Sequence, residues 1–435
     1  MSNKGQELYE EIKDKIADLE KKDSYINEFT EFWRMGCSAK YKAYELQFMY
    51  DESSREFVEK NKAHIKEIRE DFVENMDQYV KNTIEIMEKA NHFKVHYAKT
   101  NEEAQQIFLE ELGDNTVVYK SKSNEAKDIG LIDAMRENDI EVKETDLGDI
   151  ILGLFDDYEL PTYQLGPGAH FNEEDIVTRI KEKYGVELEP DAEKIVEYFR
   201  NTYRKELLND VKVSLTSANA ISAEDGTIVL GENEGNISLL TRTTDKHIVA
   251  CGITKIVPTL YDAVLIMKLQ ERINYVPLAY INLISGPSNT SDIQGKRVHG
   301  MYGAKEVVVI LVDDWRTKAA KEHLIYEDFL KCLSCKSCIY TCAAFRAFGN
   351  IYGSKYGLGG VSIVRDYIHN GIEAAIKDGL FLCTGCETCA HWCPAGVNIG
   401  DIIRDLKKEA TEKGLCPPPL EGYKNKILDE KNPFK

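Results

Sequence analysis

Two stretches of the sequence, CLSCKSCIYTC at 332–342 and CTGCETCAHWC at 383–393, decide the fold of the C-terminal part of the chain. Both have the spacing C-x2-C-x2-C-x3-C, and Pro394 follows the second. Three thiolates at this step let a tight loop wrap one corner of an iron-sulfur cube while its backbone N–H groups face the sulfurs. The two runs therefore predict two [4Fe-4S] clusters.

The fourth ligand of each cluster must come from elsewhere in the sequence. In two-cluster ferredoxins the last cysteine of each run binds the cluster of the other run. We therefore predict these two ligand sets: Cys332, Cys335, Cys338 and Cys393 for one cluster, and Cys383, Cys386, Cys389 and Cys342 for the other. Zinc is the alternative, but a third cysteine at the same step does not suit one tetrahedral ion. Cys416 lies outside both runs and is not expected to be a ligand.

The composition of the 435 residues is that of a globular protein with two or three domains. A formal charge of −19 argues against a nucleic-acid partner. The charged N-terminus has no apolar core of a secretory signal, and the longest apolar run, at 307–312, is far shorter than the ~20 residues of a transmembrane helix. Clustered cysteines favour metal in a reducing compartment over disulfides, so we predict a cytoplasmic protein without a transmembrane segment.

Hydrophobic periodicity divides the chain into four parts. Residues 1–92 read as helices, with Ile65, Ile68, Phe72, Met76 and Tyr79 on one face. Residues 93–322 alternate β-branched runs with amphipathic helices, which predicts an α/β domain with a largely parallel sheet. Residues 323–410 form the helical two-cluster domain of ferredoxin type. The prolines and charges of 411–435 predict an extended tail.

Polar loops follow several of the predicted strands, at the edge where open α/β sheets bind ligands. Two lysines end one strand, a glycine-containing loop ends another, and a serine precedes a possible helix start. The predicted members of a pocket for a small anionic ligand are Lys120, Lys122, Asn233, Glu234, Gly235, Asn236 and Ser288. For each loop taken alone, a capped surface turn is an equally good interpretation.

The amino-acid sequences of these loops resemble those of a known family. The segments are KSKS (120–123), ETDLGD (144–149), PTYQLGPGAH (161–170), NEGN (233–236), GITKIVPTL (252–260) and SGPSNTSDI (285–293). They come in the order seen in LUD-domain proteins, and with the two cysteine runs the chain resembles the lactate-utilisation protein B family over about 93–404. The resemblance implies a NagB/RpiA/CoA-transferase-like domain, two [4Fe-4S] clusters, partner subunits and electron transfer from lactate oxidation towards a carrier pool.

Two functional hypotheses follow. The first is an electron-transfer subunit of a complex that oxidises lactate or a related 2-hydroxy acid. No G-x-G-x-x-G motif follows the early strands, so any flavin is expected on a partner subunit. The chain alone is therefore not expected to turn over lactate. The rival is a LUD domain that itself binds or transforms a carboxylate, phosphate or thioester, or a chain that serves a different anaerobic redox complex. The candidate acid–base residues are Glu144, Asp146, His170 and Glu234.

Overall fold

The computed structural model describes residues 3–18, 25–46, 52–155, 166–274 and 276–431. Part of the PTYQLGPGAH segment, at 161–165, lies outside these residues. The strands are β1 (Lys94–Ala98), β2 (Val117–Lys120), β3 (Glu141–Glu144), β4 (Val213–Thr216), β5 (Ala220–Ser222), β6 (Ile228–Glu232), β7 (Lys246–Gly252), β8 (Ile256–Val257), β9 (Tyr280–Ile284), β10 (Asn289–Thr290), β11 (Val298–His299), β12 (Glu306–Val312), β13 (Gly353–Ser354) and β14 (Gly357–Leu358).

The α-helices precede, alternate with and follow these strands. They are α1 (Asn3–Ala17), α2 (Tyr25–Leu46), α3 (Glu52–Glu74), α4 (Met76–Lys89), α5 (Asn101–Leu112), α6 (Asn124–Ile129), α7 (Leu131–Glu137), α8 (Leu147–Leu154), α9 (Glu173–Tyr184), α10 (Ala192–Asn209), α11 (Asn236–Thr243), α12 (Leu260–Asn274), α13 (Arg316–Glu322), α14 (Ser337–Tyr340), α15 (Ala343–Phe348), α16 (Gly360–Asn370), α17 (Ile372–Lys377), α18 (Thr388–Trp392), α19 (Ile399–Glu412) and α20 (Pro418–Glu430).

A six-stranded sheet in the order β1-β12-β7-β4-β2-β3 forms the centre of the α/β region. Every neighbouring pair in it is parallel. Strand β12 is apolar along its length because both faces of the sheet are covered. Val308 and Ile310 pack with helices α5 to α7 on one face, whereas Val309 and Leu311 pack towards α4 and the smaller sheet on the other. The predicted α/β class with a parallel sheet is confirmed.

A second sheet, in the order β8-β5-β6-β9, lies beside the first. After β9 the chain forms the antiparallel hairpin of β10 and β11, in which Ser288 donates its backbone N–H to Ala304 and accepts from Gly300. The helix start predicted after Ser288 is therefore wrong, because this segment satisfies its backbone groups by strand pairing.

The N-terminal helices pack against both later regions. On α3, Ile65 and Phe72 are fully buried, in agreement with the predicted apolar face. Ile65 belongs to a core that also contains Ile363 and Ile403 of the cysteine-rich region, whereas Phe72 belongs to the core beneath the large sheet. The three regions thus share apolar cores and do not pack as separate bodies.

The C-terminal segment differs from the sequence-based expectation. An extended tail was expected from its prolines, but residues 418–430 form helix α20. Pro418 stands at the start of this helix, where the missing N–H would have no partner in any case and the fixed φ suits the first turn. Across the described residues, no helix combines the length and apolar character needed to cross a membrane.

Candidate iron-sulfur centres and an adjoining cavity

The first cysteine set brings three thiols of one run together with the last thiol of the other. Cys332 follows a 3-10 helix at Glu327–Lys331, and Cys338 lies on α14. Cys393 comes directly after α18 and belongs to the second run. The shared cavity is lined by Cys332, Cys335, Cys338 and Cys393, together with Tyr356, Leu358 and Arg365 from the insertion between the runs.

The second cysteine set combines the first three thiols of the second run with the last thiol of the first run. Its cavity is lined by Cys342, Cys383, Cys386 and Cys389. Cys342 is the N-cap of α15, and its sulfur accepts from the backbone N–H of Phe345. The two cavities are neighbours, since Cys389 also lines the first and Cys338 also lines the second. This is the arrangement that an exchange of the fourth ligand between runs requires.

The sulfurs are surrounded as thiolate ligands of a cluster would be. Backbone N–H groups of Ser334 and Val397 point at the sulfurs of Cys332 and Cys393, at 3.4 and 3.3 Å. In the described part of the chain, no group of three or more His, Cys, Asp or Glu side chains is placed so that it could hold a single metal ion. Zinc would require its thiolates on one small tetrahedron. In each set four sulfurs line one cavity, and at least one of them accepts a backbone N–H, so the residues fit a [4Fe-4S] group at each site.

Cations surround the first set. Arg69 of α3 is fully buried and donates to the carbonyls of Ile256 at 3.0 Å and Leu330 at 2.7 Å, just before Cys332. Burial lowers the pKa of Arg69 to about 10. Lys336 lies within the first run, and burial together with Arg365 lowers its pKa to about 8. Positive charge held near a cluster favours its more negative, reduced state.

The second set is more open to solvent. Cys386 is exposed, whereas Cys335 of the first set is 8% exposed. Burial raises the pKa of the Cys342 thiol to about 12, while a hydrogen bond from the Thr388 hydroxyl lowers the pKa of Cys386. Lys407 donates to the carbonyl of Cys383 at 2.6 Å. The two sites therefore differ in solvent access and in the number of nearby cations.

A buried ionic network joins the α/β region to the first set. Glu125 on α6 pairs with Lys255 at 3.2 Å and with Arg316 at 3.7 Å. Burial opposes ionisation of Glu125, but these cations and Arg365 hold its pKa at about 2. Asp128, one turn further, pairs with Arg365, which also lines the first cysteine cavity. The network thus fixes the cysteine-rich region against the sheet.

A cavity of about 340 Å³, here called the inner cavity, lies at the carboxyl edge of the strands. Lys122, Asn233, Glu234 and Asn236 line it, which brings four of the seven predicted pocket residues together. Gly235 has a left-handed φ of 81° and starts α11 between them. Ser334 and Lys336 complete the wall, and both also line the first cysteine cavity.

Two members of the predicted pocket lie elsewhere. Lys120 lines a neighbouring cavity of about 330 Å³ and is paired with Glu144 at 2.6 Å, because β2 and β3 are adjacent and place these two residues side by side. Ser288 lines neither cavity, since it lies in the β10–β11 segment described above. The prediction of a single pocket is corrected accordingly: Lys120 shares the neighbouring cavity with Lys122 but does not line the inner cavity, and Ser288 lines neither.

The four candidate acid–base residues differ from one another in their partners and in whether they line a cavity. Glu144 is held by Lys120, and Asp146 both caps α8 and pairs with Lys122 at 2.7 Å, so each has a structural role. His170 packs on Phe171 and lines neither cavity; burial lowers its pKa to about 4.

Glu234 is the candidate best placed for chemistry. It lines the inner cavity and accepts from the Leu147 N–H at 3.1 Å. Burial, with Asp146 next in importance, raises its pKa. Burial and the Asp146 carboxylate thus both favour the protonated form of Glu234.

Sequence reasoning missed Lys336, Arg69 and Lys255. Lys255 lies inside the GITKIVPTL segment, where Gly252 is also required because a Cβ there would lie 2.3 Å from the Arg316 side chain. Lys336 could have been noticed in the sequence, because it is a charged residue inside the first cysteine run. Nothing in the sequence pointed to Arg69, which belongs to an ordinary amphipathic helix.

Comparison with protein families agrees with this geometry. A model of the LUD domain matches residues 80–312, and a model of the 4Fe-4S dicluster domain matches residues 328–397. The chain belongs to the LUD-domain family. Its LUD domain carries the large sheet and most of the inner cavity, and its dicluster domain carries both cysteine sets.

Several curated LUD-domain relatives cover most of the chain. Lactate utilization protein B of Macrococcus caseolyticus is 30% identical over 82% of this chain and 73% of its own length. An electron transport protein named YkgF, described as uncharacterized, from Escherichia coli is 27% identical over 80% of this chain and 71% of its own. Lactate utilization protein B of Bacillus subtilis is 27% identical over 81% and 72%.

One solved structure, a DUF162 family protein from Deinococcus radiodurans, matches at a TM-score of 0.29 and 14% identity. It covers 56% of this chain and 98% of the other.

Proposed function

We propose that the chain is the iron-sulfur electron-transfer subunit of a cytoplasmic oxidoreductase complex that oxidises lactate or a related 2-hydroxy acid to the 2-oxo acid. The observation that carries the proposal is the placement of two adjoining cysteine sets, one beside the LUD domain and one with the exposed Cys386. The names of the relatives, which refer to lactate utilization and to electron transport, support it.

In this proposal each cysteine set binds one [4Fe-4S] cluster, which supplies a one-electron carrier. Cys332, Cys335, Cys338 and Cys393 hold the first, and Cys342, Cys383, Cys386 and Cys389 hold the second. The chain's own contribution is to bury the first site, surround it with fixed cations and open the second to a docking partner. Oxidation of a 2-hydroxy acid removes two electrons, so we place the two-electron centre, such as a flavin, on a partner subunit.

Metal analysis and turnover test the proposal together. Protein prepared without oxygen should contain about eight iron and eight acid-labile sulfide per chain, as two cubes require. With lactate and a dye acceptor the chain alone should show no turnover, and co-purified subunits should restore it. Stoichiometric zinc without iron, or enzyme-like lactate oxidation by the chain alone, would contradict the proposal.

A second candidate function has its own supporting observation. The inner cavity, with Lys122, Asn233 and Glu234 in its wall, suits a small carboxylate, phosphate or thioester bound to the LUD domain itself. The same chain could then serve a different anaerobic redox complex. Identification of co-purified subunits, with and without lactate-dependent reduction of the clusters, separates the two candidates.

A further inference from the structure

The insertion between the two cysteine runs places one tyrosine at each cysteine cavity. Tyr352 lines the second cavity, together with Cys342, Cys383 and Cys389. Tyr356 lines the first. Tyr352 is 1% exposed and Tyr356 is 9% exposed, so neither phenol ring is a surface side chain. The two tyrosines therefore distinguish the sites in a way that the cysteine spacing does not show.

The backbone and two glycines fix the position of Tyr352. Its N–H donates to the carbonyl of Gly349 at 3.1 Å, and its own carbonyl accepts from the N–H of Gly359 at 2.8 Å. A Cβ at Gly379 would lie 3.3 Å from the ring carbon Cδ2 of Tyr352, and a Cβ at Gly360 would lie 3.0 Å from its hydroxyl oxygen. The ring therefore fits closely between these two glycines and has little freedom to turn.

The hydroxyl end of the Tyr352 ring faces the second cavity. Gly360, which the hydroxyl approaches, lines that cavity as well. The thiols of Cys342 and Cys383 act on the hydroxyl, and Cys383 is its hydrogen-bonding partner. Burial, followed by these thiols, raises the pKa of Tyr352 well above the usual value of a tyrosine, so the phenol keeps its proton. Towards thiolate ligands such an O–H acts as the donor, because a thiolate has no proton to give.

The Tyr356 hydroxyl has different surroundings. It interacts with the side chain of Asn370, and its ring packs on His369 with 5.0 Å between the ring centroids. Burial raises the pKa of Tyr356 to about 12, and the groups that act on it most strongly after burial are amide and charged side chains of its own region, not cysteines. Tyr356 therefore contributes packing at the first site, whereas the hydroxyl of Tyr352 is directed to the ligands of the second.

We propose that the Tyr352 hydroxyl donates a hydrogen bond to the second cluster, at the sulfur of Cys383, and thereby raises the reduction potential of that cluster but not of the first. A hydrogen bond to a cluster sulfur stabilises the additional negative charge of the reduced state. Tyr352 is thus a positioning residue, which acts through the ligand Cys383 and is not itself a ligand. The inference rests on the proposed function, because it needs a cluster at the second site.

Redox titrations of the full chain with both clusters, followed by electron paramagnetic resonance without oxygen, test the proposal. Tyr352→Phe removes only the hydroxyl and should lower the potential of the second cluster, while that of the first stays unchanged. The matched control Tyr356→Phe should leave both potentials unchanged. Repeating Tyr352→Phe together with Cys393→Ser, which is expected to remove the first cluster, assigns the shifted signal to the second.

A second substitution decides the matter if Tyr352→Phe assembles poorly. Incorporation of 3-fluorotyrosine at position 352 retains the hydroxyl and makes it a stronger donor, so the potential of the second cluster should rise. An unchanged potential of the second cluster at full iron content in either variant, or an equal shift of both clusters, would overturn this inference alone. Absence of iron in the wild-type protein would instead refute the proposed function, and the inference with it.

Discussion

The two cysteine sites share one spacing but lie in different surroundings. The first lies under the LUD domain, with Arg69, Lys336 and Arg365 around it, and its Cys335 is 8% exposed. The second has an exposed Cys386 in its ligand set. Local spacing thus specifies what each loop binds, whereas the packing around the loop determines its potential and its access to partners.

The largest expected effect concerns the exchanged ligands. Cys393→Ser should abolish the first cluster and spare the second, and Cys342→Ser should do the reverse, because each cysteine lines the cavity of the other run. Iron analysis should show about half the wild-type content in each variant. Mössbauer and paramagnetic resonance spectra should identify the cluster that remains. Loss of the second cluster in Cys393→Ser would contradict the predicted exchange of the fourth ligand between the two runs.

A smaller effect concerns the buried cation of the first site. Arg69→Met retains most of the side-chain volume but leaves the buried carbonyls of Ile256 and Leu330 without their donor. We expect a loss of about 3 kcal/mol in the free energy of unfolding.

The matched change at the second site is Lys407→Met, which removes one hydrogen bond to the Cys383 carbonyl at a partly exposed position. It should cost about 1 kcal/mol. Thermal unfolding of both variants, with iron content measured in parallel, checks the difference. Equal losses would mean that burial does not distinguish the sites.

The smallest expected effect is on reduction potentials. Lys336→Gln removes a positive charge beside the first cluster and should lower its potential, because the reduced cluster loses a favourable charge. Glu387→Gln should raise the potential of the second cluster by less, since water and Arg404 already screen that carboxylate. Redox titrations followed by paramagnetic resonance measure both. The prediction would be wrong if Glu387→Gln shifted the potential of the second cluster by more than Lys336→Gln shifts the potential of the first.

Much of the fold could be predicted from local pattern. The apolar run of β12 and the alternation of strands and helices predicted a buried parallel sheet, and the structure has one. The pocket was harder to predict from the sequence, because the order of strands in a sheet depends on contacts between distant parts of the chain. Lys120 and Glu144 lie 24 residues apart, and nothing local shows that β2 and β3 are neighbours and place the two residues in direct contact. The sequence alone therefore predicts Lys120 as a member of the anion pocket and not as the partner of Glu144.

The sequence by itself determined the chemistry of the cysteine loops, because ligand type and spacing are local properties of a short segment. The tertiary structure alone decided what surrounds them. Arg69 lies 261 residues before Leu330, yet it donates to that carbonyl beside the first site. Lys336 lines the inner cavity only because the LUD domain packs against its loop. Such contacts depend on which apolar faces bury one another, and no spacing within either segment encodes that choice.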